Sequence, residues 1–416
     1  MERIQINNVI ISNKTITIGY TISDGLLKYF TEPYLFVTKY SQNLNNLPKS
    51  IAVIPFICNI LPIAWLCNSE IVLDEIDLDF YNSINSFKKG YIQMYPMFVF
   101  QGKISVQKTI RNAPAFNNKS ACFFSGGVDA FATLIAHFPE KPELISLHGS
   151  DIDLNDTEGW KNFELILAET KKLFDLPQKT ITSNFRKVLN ENELNKLVTL
   201  SRDGWWHGFQ HGIGLIGHAA PLAFLNGYKK IYIASSYTIR EKGIITCASD
   251  PSIDNYVKFC STEIIHDQYE YSRQEKVKHI CDYIAQKNIS LPLHVCWESK
   301  GGKNCCHCEK CYRTIMEIIA EKGDPQKFNF HLNSNFFILL KKDILKKIYM
   351  PPHIIVLWKD IQSRLKHQKE LNCNAEIEWL KKFDFQNINN TLQKRIRHSH
   401  HKIWDIIHYF QTYFHL

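Results

Sequence analysis

Three observations predict an α/β protein built on a parallel sheet. From about Ala115 onward, short apolar or β-branched runs alternate with stretches of helical period, the pattern of strands joined by crossover helices. Apolar residues make up 45% of the chain and charged residues 22%, the balance of an ordered globular protein and not of a disordered one. At 416 residues the chain exceeds the about 250–300 residues at which one hydrophobic core stops growing, so two or three domains are expected.

Taken in order, residues 1–113 read as a β-rich domain. "IQINNVIISNKTITIGYTI" and "PYLFVTKY" alternate or cluster β-formers, and "SEIVLDEIDLDFYNSI" is a strand passing into a helix. The most apolar segment, Ile51 to Cys67, is shorter than the roughly 20 residues of a membrane-spanning helix and is interrupted by Pro55, Asn59 and Pro62, so it is read as buried core. Residues 114–328 form the α/β domain. Its strands are "ACFF", Glu143–Gly149, Gln178–Asn184, Lys229–Tyr237 and Leu291–Cys296, and its helices are Ala130–Phe138, Trp160–Phe174, Trp206–Leu225 and Glu270–Gln286. Residues 329–416 are helical, Lys-rich and aromatic. They end in a segment with Ile403, Ile406, Ile407 and Phe410 on one helical face, expected to dock on the rest of the protein.

The net charge of +8 is spread along the chain and permits an anionic ligand such as a nucleotide or nucleic acid. There is no basic tail and no basic-aromatic repeat of the kind that binds single strands. The first residues lack the apolar core and small-residue cleavage site of a secretory leader, which suggests a reducing cytoplasm and no membrane anchor. The 12 cysteines are then metal ligands or core residues in preference to disulfides.

Two motifs carry chemistry. In "ACFFSGGVDAFATLIAHF" a strand feeds through Ser125-Gly126-Gly127-Val128-Asp129 directly into a helix. Such a junction presents unpaired backbone N–H groups at the positive end of a helix dipole, where glycines let the backbone approach phosphate oxygens closely. The Ser125 hydroxyl adds a donor, and Asp129 can hold Mg²⁺ or orient a pyrophosphate. The alternative is an ordinary glycine-containing turn. The Walker pattern is absent. The second motif, "VCWESKGGKNCCHCEKCYRT", spaces Cys296, Cys305, Cys308 and Cys311 as C-x8-C-x2-C-x2-C. Four thiolates at knuckle spacing suit a closed tetrahedral Zn²⁺ site, with an iron–sulfur cluster or redox cysteines as alternatives. Cys306 or His307 could replace Cys305, whose spacing continues the x2 rhythm.

S-G-G-x-D after a first strand resembles the PP-loop of the ATP pyrophosphatases, enzymes that use ATP to adenylate a carbonyl or carboxylate oxygen and release pyrophosphate. The cysteine arrangement downstream of that loop is similar to that of the 7-cyano-7-deazaguanine synthase (QueC) family. More specifically, the chain resembles the larger QueC-like proteins of bacterial anti-phage systems of the Qat type. The resemblance covers about Ala115 to Gly323 and implies an HUP-type parallel sheet, bound ATP, Mg²⁺ and Zn²⁺, and a protein partner. It also departs from the family. Ala130 stands where the family carries a second loop serine, and "ASSYTIREKGIITCASDPSIDNYVKFCSTE" replaces a G-Y-P-D-C-R-like segment.

Ligands of parallel sheets sit beyond the carboxyl ends of the strands. That rule adds His148, Ser150 and Asp151 after the second strand, and Arg202 and His207 before the fourth, as contacts for ATP. His207 and His211 share a helix face and could bind metal or phosphate. Ser235, Ser236, Asp250 and Asp254 are substrate candidates, within a segment that also offers Thr238, Arg240, Ser261, Thr262 and Glu263. His398, His400 and His401 read as a solvated basic turn. The expected chemistry is attack of a carboxylate, of the 7-carboxy-7-deazaguanine type, on the α-phosphate of ATP held by Ser125–Asp129. Ammonia or a protein amine would capture the acyl-adenylate. Another acid substrate, or a non-catalytic nucleotide-binding scaffold, is the alternative.

Overall fold

The computed structural model describes residues 1–114, 118–296, 298, 303–368 and 374–389. Two compact units divide the chain at Ser272/Arg273. The helix expected over the last residues and the histidines at 398, 400 and 401 lie outside the described residues.

The first unit holds an α/β sheet of 11 strands. Strands β1 (Arg3–Ser12) and β2 (Thr15–Ile22) form a hairpin turned at Asn13, whose φ of 47° suits asparagine. β3 (Leu35–Tyr40) follows, then the short α1 (Lys49–Ala52) and α2 (Ile54–Leu66). β4 (Glu70–Asp77) passes into α3 (Leu78–Met94), and β5 (Lys103–Ile110) closes the N-terminal part. The parallel part comprises β6 (Lys119–Phe123), α4 (Val128–His137), β7 (Glu143–His148), α5 (Thr157–Phe174) and β8 (Gln178–Ser183). It continues through α6 (Glu191–Leu197), α7 (His211–His218), α8 (Ala220–Asn226) and β9 (Tyr228–Ala234) to α9 (Pro251–Asp254), β10 (Lys258–Phe259) and β11 (Thr262–Asp267).

The strand order is β10-β11-β9-β6-β7-β8-β3-β2-β1-β4-β5. β11, β9, β6, β7 and β8 are mutually parallel, as the alternation in the sequence predicts. The N-terminal strands do not form a domain of their own: β3 pairs antiparallel with β8 through Thr38–Ser183, Lys39–Thr182 and Tyr40–Ile181, so both halves share one sheet. Local patterning does not encode which strand edges meet, which is why a boundary at residue 113 looked natural. The opposite ends of the strand order are also tied. Buried Asp77, at the end of β4, caps α3 by accepting from Phe80 N at 3.0 Å, and it accepts Cys260 N–H from the β10–β11 turn at the same distance.

The apolar segment Ile51–Cys67 becomes α1 and α2, with every residue of α2 from Ile54 to Trp65 buried. No helix among the described residues is long and apolar enough to cross a membrane. The stretch Trp206–Leu225, expected as one helix, is three: a π-turn over Trp206–Gln210, then α7 and α8.

The second unit contains α10 (Arg273–Lys287), α11 (Glu309–Ala320), α12 (Phe336–Lys346), α13 (Pro352–Lys366) and α14 (Ala375–Lys382). Leu291–Cys296, expected as the last strand, is irregular here. Its backbone is held by a side chain in place of a ladder: Asn304 accepts from Val295 N at 3.0 Å and donates to Leu293 O at 2.8 Å. A buried charge cluster, Arg273 and Arg313 with Glu309 and Glu317, fastens α10 to α11 at 2.9–3.4 Å.

One buried histidine gives the first unit a pH dependence. His218 donates from Nδ1 to Gly214 O at 2.6 Å, its Nε2 accepts from the Ser183 hydroxyl at 2.8 Å, and Tyr40 donates to its carbonyl at 3.1 Å. Burial lowers its pKa to about 4, the bond to Gly214 offsetting only part of that cost. The folded imidazole therefore stays neutral below pH 6.5, where the unfolded one takes a proton. The stabilisation is complete above about pH 6.5 and is lost as pH falls toward 4, by about 3 kcal/mol at most. Urea unfolding across that range should show a steeper fall for wild type than for His218→Gln, and equal slopes would refute the assignment.

Candidate functional site

The phosphate-loop candidate forms where the sequence places it. β6 is pinned at its end, since Phe124 donates its N–H to Ile145 O at 2.8 Å and Ser146 donates its hydroxyl to Phe124 O at 2.7 Å. The chain then turns through exposed Ser125 and through Gly126, whose φ of +73° would cost a residue with a side chain about 1–2 kcal/mol. Gly127 is the N-cap of α4 and no side chain caps the helix. The amides of the first helical turn thus lack intrahelical acceptors and point out of the sheet's carboxyl edge. β6 is flanked by β7 on one side and β9 on the other, and α4 carries the chain from β6 to β7. The strand order therefore reverses between β6 and β9, and at such a point a crevice opens beyond the strand ends. Ala130 is 4% exposed, so its side chain is closed to solvent.

The other sequence-nominated residues divide. Asp129 is the second residue of α4 and is half-buried. His148 is buried and stacked on Trp160 at 4.4 Å, and its Nε2 bonds Asp153 O at 3.1 Å, so it braces the end of β7. The Ser150 hydroxyl donates to Leu147 O at 2.9 Å. Arg202 is exposed in a left-handed turn with φ of 58°. Ser235 is buried and donates to Tyr237 O, while Ser236 is exposed. The two substrate carboxylates serve the fold. Asp250 caps α9 through Ser252 N at 2.8 Å, and Asp254, fully buried, bonds His266 at 2.9 Å and Ser249 at 2.8 Å. A carboxylate enclosed in that way cannot read a substrate.

A constellation only partly visible in the sequence forms around His207. The His207 Nδ1 stands 3.0 Å from both oxygens of Asp203, and its Nε2 is 3.1 Å from the Tyr237 hydroxyl. Thr246 donates to Asp203 at 2.9 Å and Ala248 N donates to His207 O at 2.8 Å, which brackets Cys247 between these two contacts. Cys247 is 4% exposed, and its thiol is coupled electrostatically to His207 and His211. Burial works against the charges of His207, His211 and Cys247. It is outweighed at His207 by Asp203 and Cys247, which lift the imidazole to about 10. It is outweighed at Cys247 by the two histidines, which bring the thiol down to about 7. His211 is raised as well, Cys247 and Asp151 overcoming burial. The Asp203–His207 spacing of four residues was a readable signal; the cysteine, 40 positions onward, carried none.

The π-turn aims this group. Tyr95, the C-cap of α3, and Tyr91 within it donate their hydroxyls to Gly208 O and Phe209 O, each at 2.9 Å, satisfying carbonyls in a turn of irregular helical bonding. Gly208 and Gly212 permit the approach: a Cβ on Gly208 would lie 2.6 Å from the Tyr95 hydroxyl, and one on Gly212 would lie 2.6 Å from Ala248 O.

In the second unit the four cysteines converge. Cys296 and Cys308 Sγ are 3.9 Å apart, Cys305 and Cys311 Sγ 3.8 Å apart, and all four lie within 4.8 Å of one another. A tetrahedron with Zn–S bonds of about 2.3 Å has S···S edges of about 3.8 Å, so the donor set fits zinc. Backbone amides point at the sulfurs, as thiolates require: Cys308 N to Cys305 at 3.2 Å and Cys311 N to Cys308 at 3.4 Å. Cys306 adopts φ of 58° and directs its thiol to Asn304 O, outside the group. The choice of Cys305 over Cys306 thus follows from the left-handed turn.

No family model, curated protein or solved structure matches the chain at a significant level.

Metal analysis of the purified protein should find about one zinc per chain. Cys308→Ser should lose it and Cys306→Ser should keep it, whereas full metal content in Cys308→Ser would remove the four-cysteine assignment.

Proposed function

We propose that the chain binds Mg-ATP on the Ser125–Asp129 loop and adenylates a carboxylate, releasing pyrophosphate, before an amine captures the acyl group. The observation that carries this reading is the uncapped N-terminus of α4, reached through a left-handed glycine at the point where the strand order reverses. Orphan amides at a positive helix end favour a polyanion, and they would stabilise charge on the departing pyrophosphate. Ser125, exposed at the loop, is a further donor. Asp129 is the residue to hold Mg²⁺, whose charge would offset that of the phosphates. The zinc site would hold its segment of the second unit together and take no part in the chemistry.

The resemblance of S-G-G-x-D and of the cysteine spacing to the QueC family supports an HUP-type core, a 7-carboxy-7-deazaguanine-like acid as substrate, and work alongside a protein partner in anti-phage defence. The closed position of Ala130 favours a second reading, a nucleotide-binding scaffold without turnover. ATP–pyrophosphate exchange separates the two. With 7-carboxy-7-deazaguanine present, wild type should exchange label, and Asp129→Ala should fall by about 100-fold or more, the order expected when a charge-stabilising group is removed. Retained ATP binding with no exchange for any carboxylate would leave the scaffold.

A further inference from the structure

Resting on the adenylation reading, we propose that the Tyr237 hydroxyl, set by the Asp203–His207 pair, is a second anion-binding group of the crevice and donates a hydrogen bond to an oxyanion oxygen, of the α-phosphate or of the substrate carboxylate. Its place follows from the strand order. Trp206 and His207 are neighbours in the π-turn, yet they reach opposite sides of the parallel strands. The Arg186 guanidinium, just past β8, lies over the Trp206 ring at 4.4 Å and donates to Ser150 O, just past β7, at 3.0 Å. His207 Nε2 instead meets the Tyr237 hydroxyl, just past β9, at 3.1 Å. β6 and β7 lie between β9 and β8 in the sheet, and those strand intervals together span about 14 Å. The π-turn therefore reaches across the carboxyl ends of β6 and β7, the edge from which Ser125–Asp129 emerges. Cys122 of β6 pairs with Tyr232 of β9, so Ser125 and Ser235 stand level at the ends of adjacent strands, shortly before Tyr237.

The hydrogen bonds leave the phenol's proton to a ligand. A carboxylate only accepts, so His207 Nδ1, 3.0 Å from both oxygens of Asp203, carries a proton. The Asp203 carboxylate is itself fixed by the Thr246 hydroxyl at 2.9 Å and by Gly204 N at 2.8 Å. Burial opposes a charge on His207, but an ion pair at that distance outweighs it and holds the imidazole protonated. An imidazolium donates from Nε2 as well, so the Tyr237 oxygen accepts there and its own proton remains for an acceptor outside. Burial pushes the phenol's pKa up, which keeps it a donor. Neither side chain is sealed: Tyr237 is half-buried and the His207 side chain is 40% exposed.

A brace between the π-turn and the loop after β9 is the competing use of the phenol. That loop is held without it. Ser235 donates its hydroxyl to Tyr237 O, and Thr238 and Glu241 form a capping box on the short helix that follows. A bound metal is the competing use of His207. Among the described residues, neither group of ligand atoms close enough to hold an ion includes it.

Tyr237→Phe in the full chain tests the donor, with calorimetry and pyrophosphate exchange read side by side. Exchange with 7-carboxy-7-deazaguanine should fall about 100-fold in kcat, the order expected when one donor to an oxyanion is lost. An affinity for Mg²⁺ and α,β-methylene ATP weakened about tenfold assigns the oxygen to the α-phosphate. The same loss for the acid alone, measured with the analogue bound, assigns it to the carboxylate. Unchanged exchange and unchanged affinities for both ligands overturn the proposal and leave adenylation intact. If wild type binds the analogue yet exchanges nothing, adenylation falls, and equal affinities of the two proteins then overturn the donor as well. A wild type that binds neither ligand overturns both. Asp203→Asn tests the positioning, since it keeps an acceptor for Nδ1 and removes the charge. It should lower exchange to the level of Tyr237→Phe and cost nothing further in the double variant. Additive losses overturn the role of the Asp203–His207 pair.

Discussion

Two tyrosine hydroxyls hold the candidate site in shape. Tyr91 in the last turn of α3 and Tyr95 at its C-cap donate to the carbonyls of Phe209 and Gly208, and the Tyr95 ring stacks on Phe209 with centroids 4.3 Å apart. A π-turn leaves backbone groups poorly matched within the helix, and buried carbonyls without donors cost about 1–3 kcal/mol each. The N-terminal part of the chain supplies those donors. Its helices are the wall against which His207 and His211 are set, and Gln210 adds a bond to Asn59 of α2 at 2.7 Å. This is a physical reason for the N-terminal strands to extend the parallel sheet: a separately hinged domain could not fix a turn this way.

The site combines two electrostatic devices. At the loop, backbone amides offer positive potential without any charged side chain, suited to phosphate. At the π-turn, Asp203 and Cys247 hold the His207 imidazole charged where burial alone would neutralise it. The aspartate makes the imidazolium affordable, and the imidazolium makes the thiolate so.

Much of this was legible in the sequence, and what was missed has a common cause. Glycines between an apolar run and an amphipathic run mark a strand–helix junction, so Ser125–Asp129 could be placed from one segment. The cysteine spacing likewise confines its ligands to 16 residues. Features that depend on distant partners were invisible. The pairing of β3 with β8 joins Tyr40 to Ile181, and Cys247 finds His207 only because the 246–248 segment folds back on the π-turn. Asp254 misled for the same reason: in the sequence it is a loop carboxylate near a strand end, and in the fold His266 of β11 and Ser249 enclose it. Leu291–Cys296 has the composition of a strand but is irregular, and Asn304 bonds its backbone in place of a ladder.

The most direct test of the central claim is a crystal structure of the full chain grown with Mg²⁺ and a non-hydrolysable α,β-methylene analogue of ATP. The account predicts phosphate oxygens within hydrogen-bonding distance of the backbone amides between Gly126 and Ala130, with the metal on Asp129. An analogue bound elsewhere, or an empty loop at saturating concentration, would contradict it.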